Sequence, residues 1–398
     1  MERMFEAAVV GGGPAGMTAA IALAVAGIET VLVAKAAPRD NRTTALISGS
    51  VAALDALGVW DLCRTEAAAL TAIRLIDDTA RLLRAPEVLF ESAEIGFEAF
   101  GYNVENRYLI AALDRRAAES PHLARIDAAV TAVEPEDAGV TLRLEDGGSL
   151  RARLVVGADG RKSLCRAAAG IATRHHSYPQ AALTLNLGHA RPHHGISTEF
   201  HTETGPFTLV PLPGLRSSLV CVVDPAEAEE LCALDAPALS AAIERRAHSI
   251  LGKVAVEEGC GVFPLGIETA QSFGRNRIAL VGEAAHVIPP IGAQGLNLGL
   301  RDAAAIGELV ADAHRDGADI GAPDLLMRYD GMRRADVMSR TVAVDVLNRS
   351  LLSDFLPLQG ARGVGLYLLD RIPALRRAVM REGVEPATQP RLMRGEAL

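Results

Sequence analysis

The chain opens on a short apolar run, Phe5 to Val10, which predicts a buried strand. Pro14 to Ala26 follows as an Ala-rich segment at helical spacing, and Gly27 stops it. Glu29 to Ala34 is a second apolar strand. This strand–helix–strand opening is the start of a dinucleotide-binding fold. A helix is predicted after residues 40–46, up to about Gly58. Between 70 and 100 apolar and polar residues alternate (Ile73, Leu75, Leu82, Val88, Phe90), which predicts strands outside the first fold. Arg107 to Ala118 reads as helix, and Val130 to Val156 as hairpin strands around Asp146-Gly147-Gly148.

Residues 175–265 change character. His, Pro and Thr become frequent, strands are predicted at Ala181–Leu187, Thr208–Leu212 and Ser218–Val223, and one helix, Ala236–Leu251, interrupts them. The dinucleotide pattern resumes at Arg277, and from Pro323 onward the chain reads as helices rich in arginine. The expected fold is therefore α/β: a dinucleotide fold over 1–70, 100–172 and 273–340, an inserted antiparallel sheet domain over 71–99 and 173–272, and a helical C-terminal segment over 341–398.

Three turns carry the candidate chemistry. In Gly11-Gly12-Gly13-Pro14-Ala15-Gly16 the first glycine allows a tight turn, Gly13 lets backbone approach a pyrophosphate, and Gly16 lets helix and strand pack closely. Alone, such a turn can be purely structural. The second is the strand Leu154–Val156 running into Gly157-Ala158-Asp159-Gly160, with Ser163 and Arg166 following on one helical face. Its bland alternative is an Asp-Gly turn that caps a helix. The third runs from Arg277 to Gly299. A strand ends at Gly282, the acid Glu283 follows, Pro289 and Pro290 stiffen the turn, and Gly292-Ala293-Gln294-Gly295-Leu296-Asn297 opens a helix. That order delivers one carboxylate and a row of free N–H groups to a polar, phosphate-bearing ligand. His286 in this stretch reads as a residue packed on the turn. Together the three turns point to FAD rather than NAD.

One element is missing. The second strand of such folds ends in an acid that binds the adenosine ribose, and here it ends Val33-Ala34-Lys35. Two readings stand: Lys35, Arg39 and Arg42 receive a 2′-phosphate of NADP, or FAD is held mainly by its other end and Lys35 is an ordinary solvated residue. The second is favoured.

Composition narrows the class. The apolar fraction of 49% and the charged fraction of 22% are those of a folded globular chain, and a net charge of −9 excludes a general nucleic-acid binder. Cys63, Cys165, Cys221, Cys232 and Cys260 form no C-x-x-C pair, so neither a zinc site nor a redox dithiol is indicated. His175-His176 and His193-His194 read as surface or loop residues, because neighbours in a strand face opposite ways. No apolar stretch reaches spanning length, and a reducing cytoplasm is the expected address.

In this order and at these separations the three turns resemble those of the class A flavoprotein monooxygenases. Within that family the chain is most similar to the ubiquinone-biosynthesis hydroxylases, through Arg42-Thr43-Thr44-Ala45-Leu46, Val104-Glu105-Asn106-Arg107, Gly205 to Pro213, Pro290 to Leu300 with Asp302, and Tyr329 through Arg333 to Asp336. The resemblance covers residues 5 to about 350. It implies that Gly11, Gly13, Pro14, Ala15 and Gly16 bind the FAD pyrophosphate and that Arg42, Thr43 and Arg107 lie near FAD. Asp159 and Gly160 would touch FAD and NAD(P)H. Gly282 and Glu283 would hold the ribityl chain, Glu283 replacing the usual Asp. Pro290, Gly292, Gln294, Gly295, Leu296 and Asn297 would line the flavin. Cys221 stands where many relatives carry Trp.

The implied activity is hydroxylation of an aromatic ring using NAD(P)H and O2, with a polyprenylated phenol of the ubiquinone pathway as substrate; no residue is identified as a base. A prenyl-chain reductase and a non-catalytic flavoprotein scaffold in a biosynthetic complex remain as alternatives. A polyprenyl substrate also implies peripheral contact with the inner membrane face. Leu351, Leu352, Phe355, Leu356, Leu366, Leu368 and Leu369, with Arg362, Arg371, Arg376 and Arg377, would supply it. Packing of this segment on the FAD domain is the equal alternative.

Overall fold

The computed structural model describes residues 4–36, 40, 42–80, 84–352, 365, 367–369, 371–386 and 388–398. Arg39, Leu82, Phe355, Leu356, Arg362 and Leu366, all invoked above, lie outside the described residues, as do the side chains of Leu351 and Leu352. The first sheet is centred on Met4–Val10. Thr30–Val33 and Ser149–Gly157 flank it in parallel, with Leu123–Ile126 and Ile278–Leu280 outside them, also parallel. The hairpin Val130–Glu136 and Gly139–Leu144 joins the start of Ser149–Gly157 in antiparallel fashion. Helix Pro14–Val25 is buried from Gly16 to Ala24, which explains its nearly uniform apolar sequence. Helix Gln294–Arg315 packs beside it. A Cβ at Gly307 would approach Ala22 Cβ to 3.1 Å, so small residues set the spacing between these helices.

The inserted sheet has nine strands. Thr173–His189 lies between Gly261–Ala270 and Arg216–Val223, and the order continues through Pro206–Leu212, Ile196–His201, Ala72–Asp77 and Val88–Glu91. All pairings on this path are antiparallel except one: Ile196–His201 runs parallel to Ala72–Asp77. Strands from residues 70–100 thus complete the sheet begun a hundred residues later. Its outer face is covered by Ala236–Arg246 and by a second helix, Pro225–Cys232, which the sequence pattern does not reveal. Asp224 caps that helix and Pro225 starts it. Cys232 and Cys260 are disulfide-bonded, a pairing their spacing does not signal.

Thr43–Ile47, Gly101–Glu105 and Ala67–Leu70 make a small third sheet between the two large ones. From it Asn103 Nδ2 donates to Pro211 O at 2.9 Å and Ser218 Oγ at 3.1 Å, joining the inserted sheet to the dinucleotide fold. Helices Pro323–Leu352 and Pro373–Val384 follow, and a 3-10 turn, Arg391–Arg394, places Leu392 and Met393 in the main core. Met380 and Val384 pack with Val88, Phe90, Ile95 and Phe100, and Arg376, expected above to face lipid, pairs instead with Glu94 at 2.6 Å. Among the described residues no helix is long and apolar enough to cross a membrane.

Candidate functional site

Gly11 has φ +116°, and a Cβ there would sit 2.2 Å from Ala158 O; a Cβ at Gly16 would sit 2.2 Å from Gly11 O. Two of the predicted turns are therefore packed backbone to backbone, and only glycine fits. Gly13 differs. It is exposed, and a Cβ there would meet open space. It precedes helix Pro14–Val25, which has no side-chain cap and no acid in its first turn. The first N–H groups of that helix remain available to an anion.

Asp159 is committed locally. Its Oδ1 accepts from Ser163 Oγ at 2.6 Å and its Oδ2 from Cys165 N at 3.1 Å, while Ser163 caps the short helix Leu164–Ala168. Arg166, on the same helix, donates to Ala284 O at 2.9 Å and reaches Glu268 at 3.3 Å. It thereby clamps the turn that carries Glu283. Gly282 has φ +61° and lies against Ala15 and Gly299, where a larger residue would separate the two helix starts. Glu283 itself is exposed, with Arg161 Nε 3.6 Å away, and its charge also acts on Arg42. Residues 42, 161 and 283, far apart in sequence, converge on one rim.

Arg42 binds Asp40 in a two-point contact of 2.9 and 2.8 Å, and its guanidinium stands 5.6 Å from the Phe263 ring. Thr43, half-buried, opens the strand behind it. Arg107 pairs with Glu105 at 2.9 Å. Asn297 is nearly inaccessible and works as a staple: its Oδ1 accepts from Ile47 N at 3.0 Å and its Nδ2 donates to Ala45 O at 2.8 Å. It fixes the start of helix Gln294–Arg315 against the small sheet. That start is left bare, with Gly292 and Ala293 in left-handed conformation, Gly295 exposed, and neither a side-chain cap nor an acid in the first turn. Pro290 and Leu296 border it. At the second strand's end Ala34 is buried, Lys35 pairs with Glu145 at 2.6 Å, and Asp127 accepts from Ala36 N at 3.3 Å.

A buried charge network lies beneath this surface. Asp302, fully inaccessible, accepts from Gly282 N at 3.0 Å, His286 Nε2 at 2.6 Å and Arg333 Nε at 2.6 Å. Burial raises its pKa, but His286, Arg333 and Gly282 outweigh that and hold the carboxyl below its ordinary value. Arg333 continues to Asp336 at 2.7 Å, which also binds Arg301 and Arg340, and Arg340 reaches Gln294 Oε1 at 3.3 Å. Tyr329 donates to Leu280 O at 2.7 Å. His286, which reads from sequence as a packing residue, is a full member of this network.

The arrangement fits an extended dinucleotide. Two uncapped helix starts, two glycines facing open space and one exposed carboxylate share a rim. Fold and rim together define a flavin-dependent oxidoreductase. Residues 4–343 match the FAD binding domain family. The chain is 37% identical to the ubiquinone hydroxylase UbiL of Rhodospirillum rubrum, covering 100% of this chain and 94% of that protein. It is 31% identical to the 3-demethoxyubiquinol 3-hydroxylase of Escherichia coli, over 94% of this chain and 97% of the relative. Among solved structures, p-nitrophenol 4-monooxygenase PnpA from Pseudomonas putida superimposes with a TM-score of 0.79 at 20% identity, covering 98% of this chain and 100% of PnpA. The chain belongs to the FAD binding domain family, that of the class A flavoprotein monooxygenases.

Proposed function

We propose that this protein is an FAD-dependent monooxygenase that hydroxylates the aromatic ring of a polyprenylated phenol in ubiquinone biosynthesis, using NAD(P)H and O2. The observation that carries the reading is the full-length likeness to two ubiquinone-pathway hydroxylases. In this reading the N–H groups after Gly13 hold the pyrophosphate and Glu283 accepts from ribityl hydroxyls. The bare start of helix Gln294–Arg315 faces the flavin edge, where its dipole favours the negative charge of the reduced ring. FAD, when bound, supplies electron transfer from NAD(P)H and the activation of O2. The chain's own residues orient the cofactor, exclude water and hold the ring to be hydroxylated. Arg166 and Asp302 keep the Glu283 turn in place. Asp159 organises its neighbour turn, and in this role it shapes the cradle rather than donating a free carboxylate.

A lipid-tailed substrate also supports contact with a membrane surface. Leu375 and Val379 on helix Pro373–Val384 are exposed, as are Leu368 and Ile372 just before it, with Arg371 beside them. The test of the function is the purified protein with flavin bound, given NAD(P)H, O2 and a prenylated phenol. The expected product is heavier by one oxygen atom. Loss of a double bond without O2 uptake would make it a reductase, and no NAD(P)H oxidation at all would leave a non-catalytic flavoprotein.

A further inference from the structure

Directly opposed residues on neighbouring strands share one face of a sheet. Across four strands of the inserted sheet, Thr184, Val220, Thr208 and Glu199 stand opposite one another in that order. One row along, Ala182 opposes Val222, and His201 opposes Pro206. This face also carries Ser218 and Asn186, which Asn103 and Glu105 of the FAD-binding half touch. It therefore looks toward the cofactor. The four residues of the first row are half-buried, whereas Leu183, Leu219, Phe207 and Phe200, which alternate with them, are buried against the outer helices. The row is thus a partly exposed strip on an inner face, next to the buried cluster of Tyr178, Ala182, Val222 and Leu265. Three inter-strand steps make it about 14 Å long, enough for a substituted aromatic ring.

The strip has two unlike ends. Near one, Phe263 opposes Ala182 and carries the Arg42 guanidinium above its ring, at the cofactor rim. At the other sit Glu199 and His201. His201 is 3% exposed, and its Nε2 lies 2.8 Å from Glu199 Oε1. Glu199 Oε2 accepts from Thr208 Oγ1 at 3.1 Å. Burial raises the Glu199 pKa, but the contacts with His201 and Thr208 bring it below the ordinary value. Asp77, opposite His201 on the next strand, is turned to Thr79 and the Ala85 N–H. With Nε2 tied to the carboxylate, His201 Nδ1 has no protein hydrogen-bond partner among the described residues. A sheet gains little stability from a buried carboxylate–imidazole pair that apolar residues could replace. A buried imidazole with one nitrogen fixed and the other free is a hydrogen-bonding group held ready for a ligand.

We propose that Glu199 and His201 form the subsite for a ring hydroxyl of the substrate. This rests on the phenol-hydroxylation reading above. His201 Nδ1 takes the hydrogen bond of the phenolic oxygen. Glu199 is a positioning residue that fixes the tautomer and orientation of the imidazole, and Thr208 in turn anchors Glu199. The apolar body of the ring lies toward Val220, the partly exposed apolar member of the row.

The test is calorimetric titration of the FAD-loaded protein with a prenylated phenol and with the same molecule lacking the hydroxyl. The parent protein is expected to prefer the phenol by roughly tenfold or more. H201F and E199Q should bring that ratio close to one, with FAD affinity and affinity for the deoxy compound within about threefold of the parent. T208V, which removes only the second anchor of Glu199, should lower the ratio partway and serves if H201F does not fold. Full preference retained in E199Q and H201F, or in E199Q and T208V, overturns the assignment. Equal binding of both compounds by the parent overturns it while leaving the hydroxylase reading intact. Binding of neither compound by FAD-loaded parent overturns the phenol reading and the subsite with it.

Discussion

Asp302→Asn is the sharpest single perturbation of the cofactor cradle. The substitution keeps the shape and removes the charge. Asp302 has no exposed surface and receives three donors, two of them ionisable side chains. Without its charge, Asp336 alone faces Arg301, Arg333 and Arg340. Removing one member of a buried ionic network costs about 3–5 kcal/mol, because the partners stay buried and lose compensation. For a chain of 398 residues the unfolding entropy at the midpoint is about 0.8 kcal/mol per kelvin, so Tm should fall by about 4–6 °C. The Gly282 N–H also loses a charged acceptor, a contact of about 1.5–3 kcal/mol, so FAD should bind at least about tenfold more weakly as the Glu283 turn loosens. Circular-dichroism melts of the flavin-free and flavin-loaded protein, with FAD release followed by fluorescence, read both effects. A variant melting within about 1 °C of the parent and holding FAD equally well would refute the idea that this network supports the turn.

Gly13→Val should abolish FAD retention while the fold survives, since a side chain there meets no protein atom but fills the pyrophosphate approach; stoichiometric flavin in the purified variant would contradict this. Glu283→Ala should lose flavin or release hydrogen peroxide in place of hydroxylated product, whereas Glu283→Asp should keep function; normal coupling in the alanine variant removes Glu283 from the ribityl role. Asp336 has its carboxyl pushed up by burial but drawn further down, to about 2, by Arg333 and Arg301. Its folded pKa lies below the ordinary 3.8, so it contributes about 2 kcal/mol that is fully present above about pH 4 and lost as pH falls toward 2. Acid titration of stability should be shallower in Asp336→Asn, and an unchanged slope would exclude that contribution. Liposome flotation of the full chain against a variant with Leu368, Ile372, Leu375 and Val379 changed to Ser tests the membrane contact; equal flotation removes it from residues 368–379.

Much of the dinucleotide fold was legible because its signals are local. Periodicity marks the Pro14–Val25 helix within a residue of its end; the glycines at 11 and 16 are demanded by backbone contacts that only glycine permits, and Gly282 by its left-handed conformation. The inserted sheet was partly legible. Its strands alternate clearly, but the parallel pairing of Ala72–Asp77 with Ile196–His201 joins segments more than a hundred residues apart, and no local pattern encodes that. Helix Pro225–Cys232 was missed because it is short and its charged face dominates the window, although Asp224-Pro225 is a helix-start signal in retrospect. At the rim, the family resemblance implies cofactor contacts for Asp159 and Asn297; in the structure their side chains bond within the protein, to Ser163 and Cys165 and to Ile47 and Ala45. Arg166 appeared only as a residue on a helical face, and its contact with Ala284 O depends on two chain segments meeting.

The segments through which the sequence resembles the ubiquinone hydroxylases acquire one physical explanation from the buried network. Asp302, Tyr329 and Arg333 lie on two helices, yet act on the same strand end: Tyr329 at Leu280 O, Asp302 at Gly282 N, and Arg333 through Asp302; Asp336 links Arg333 to Arg340, which reaches Gln294 at the next helix start. A turn that must present Glu283 to solvent cannot be held by its own apolar burial, because the side chain that matters points outward. Fixing it from beneath by charge-assisted hydrogen bonds keeps the geometry without filling the space a ligand needs. Helix Pro323–Leu352 carries that support, and it also touches the inserted sheet through Asn348, which donates to Gln180 Oε1 at 2.9 Å. One helix therefore touches both the network beneath the Glu283 turn and the inserted sheet that carries Glu199 and His201.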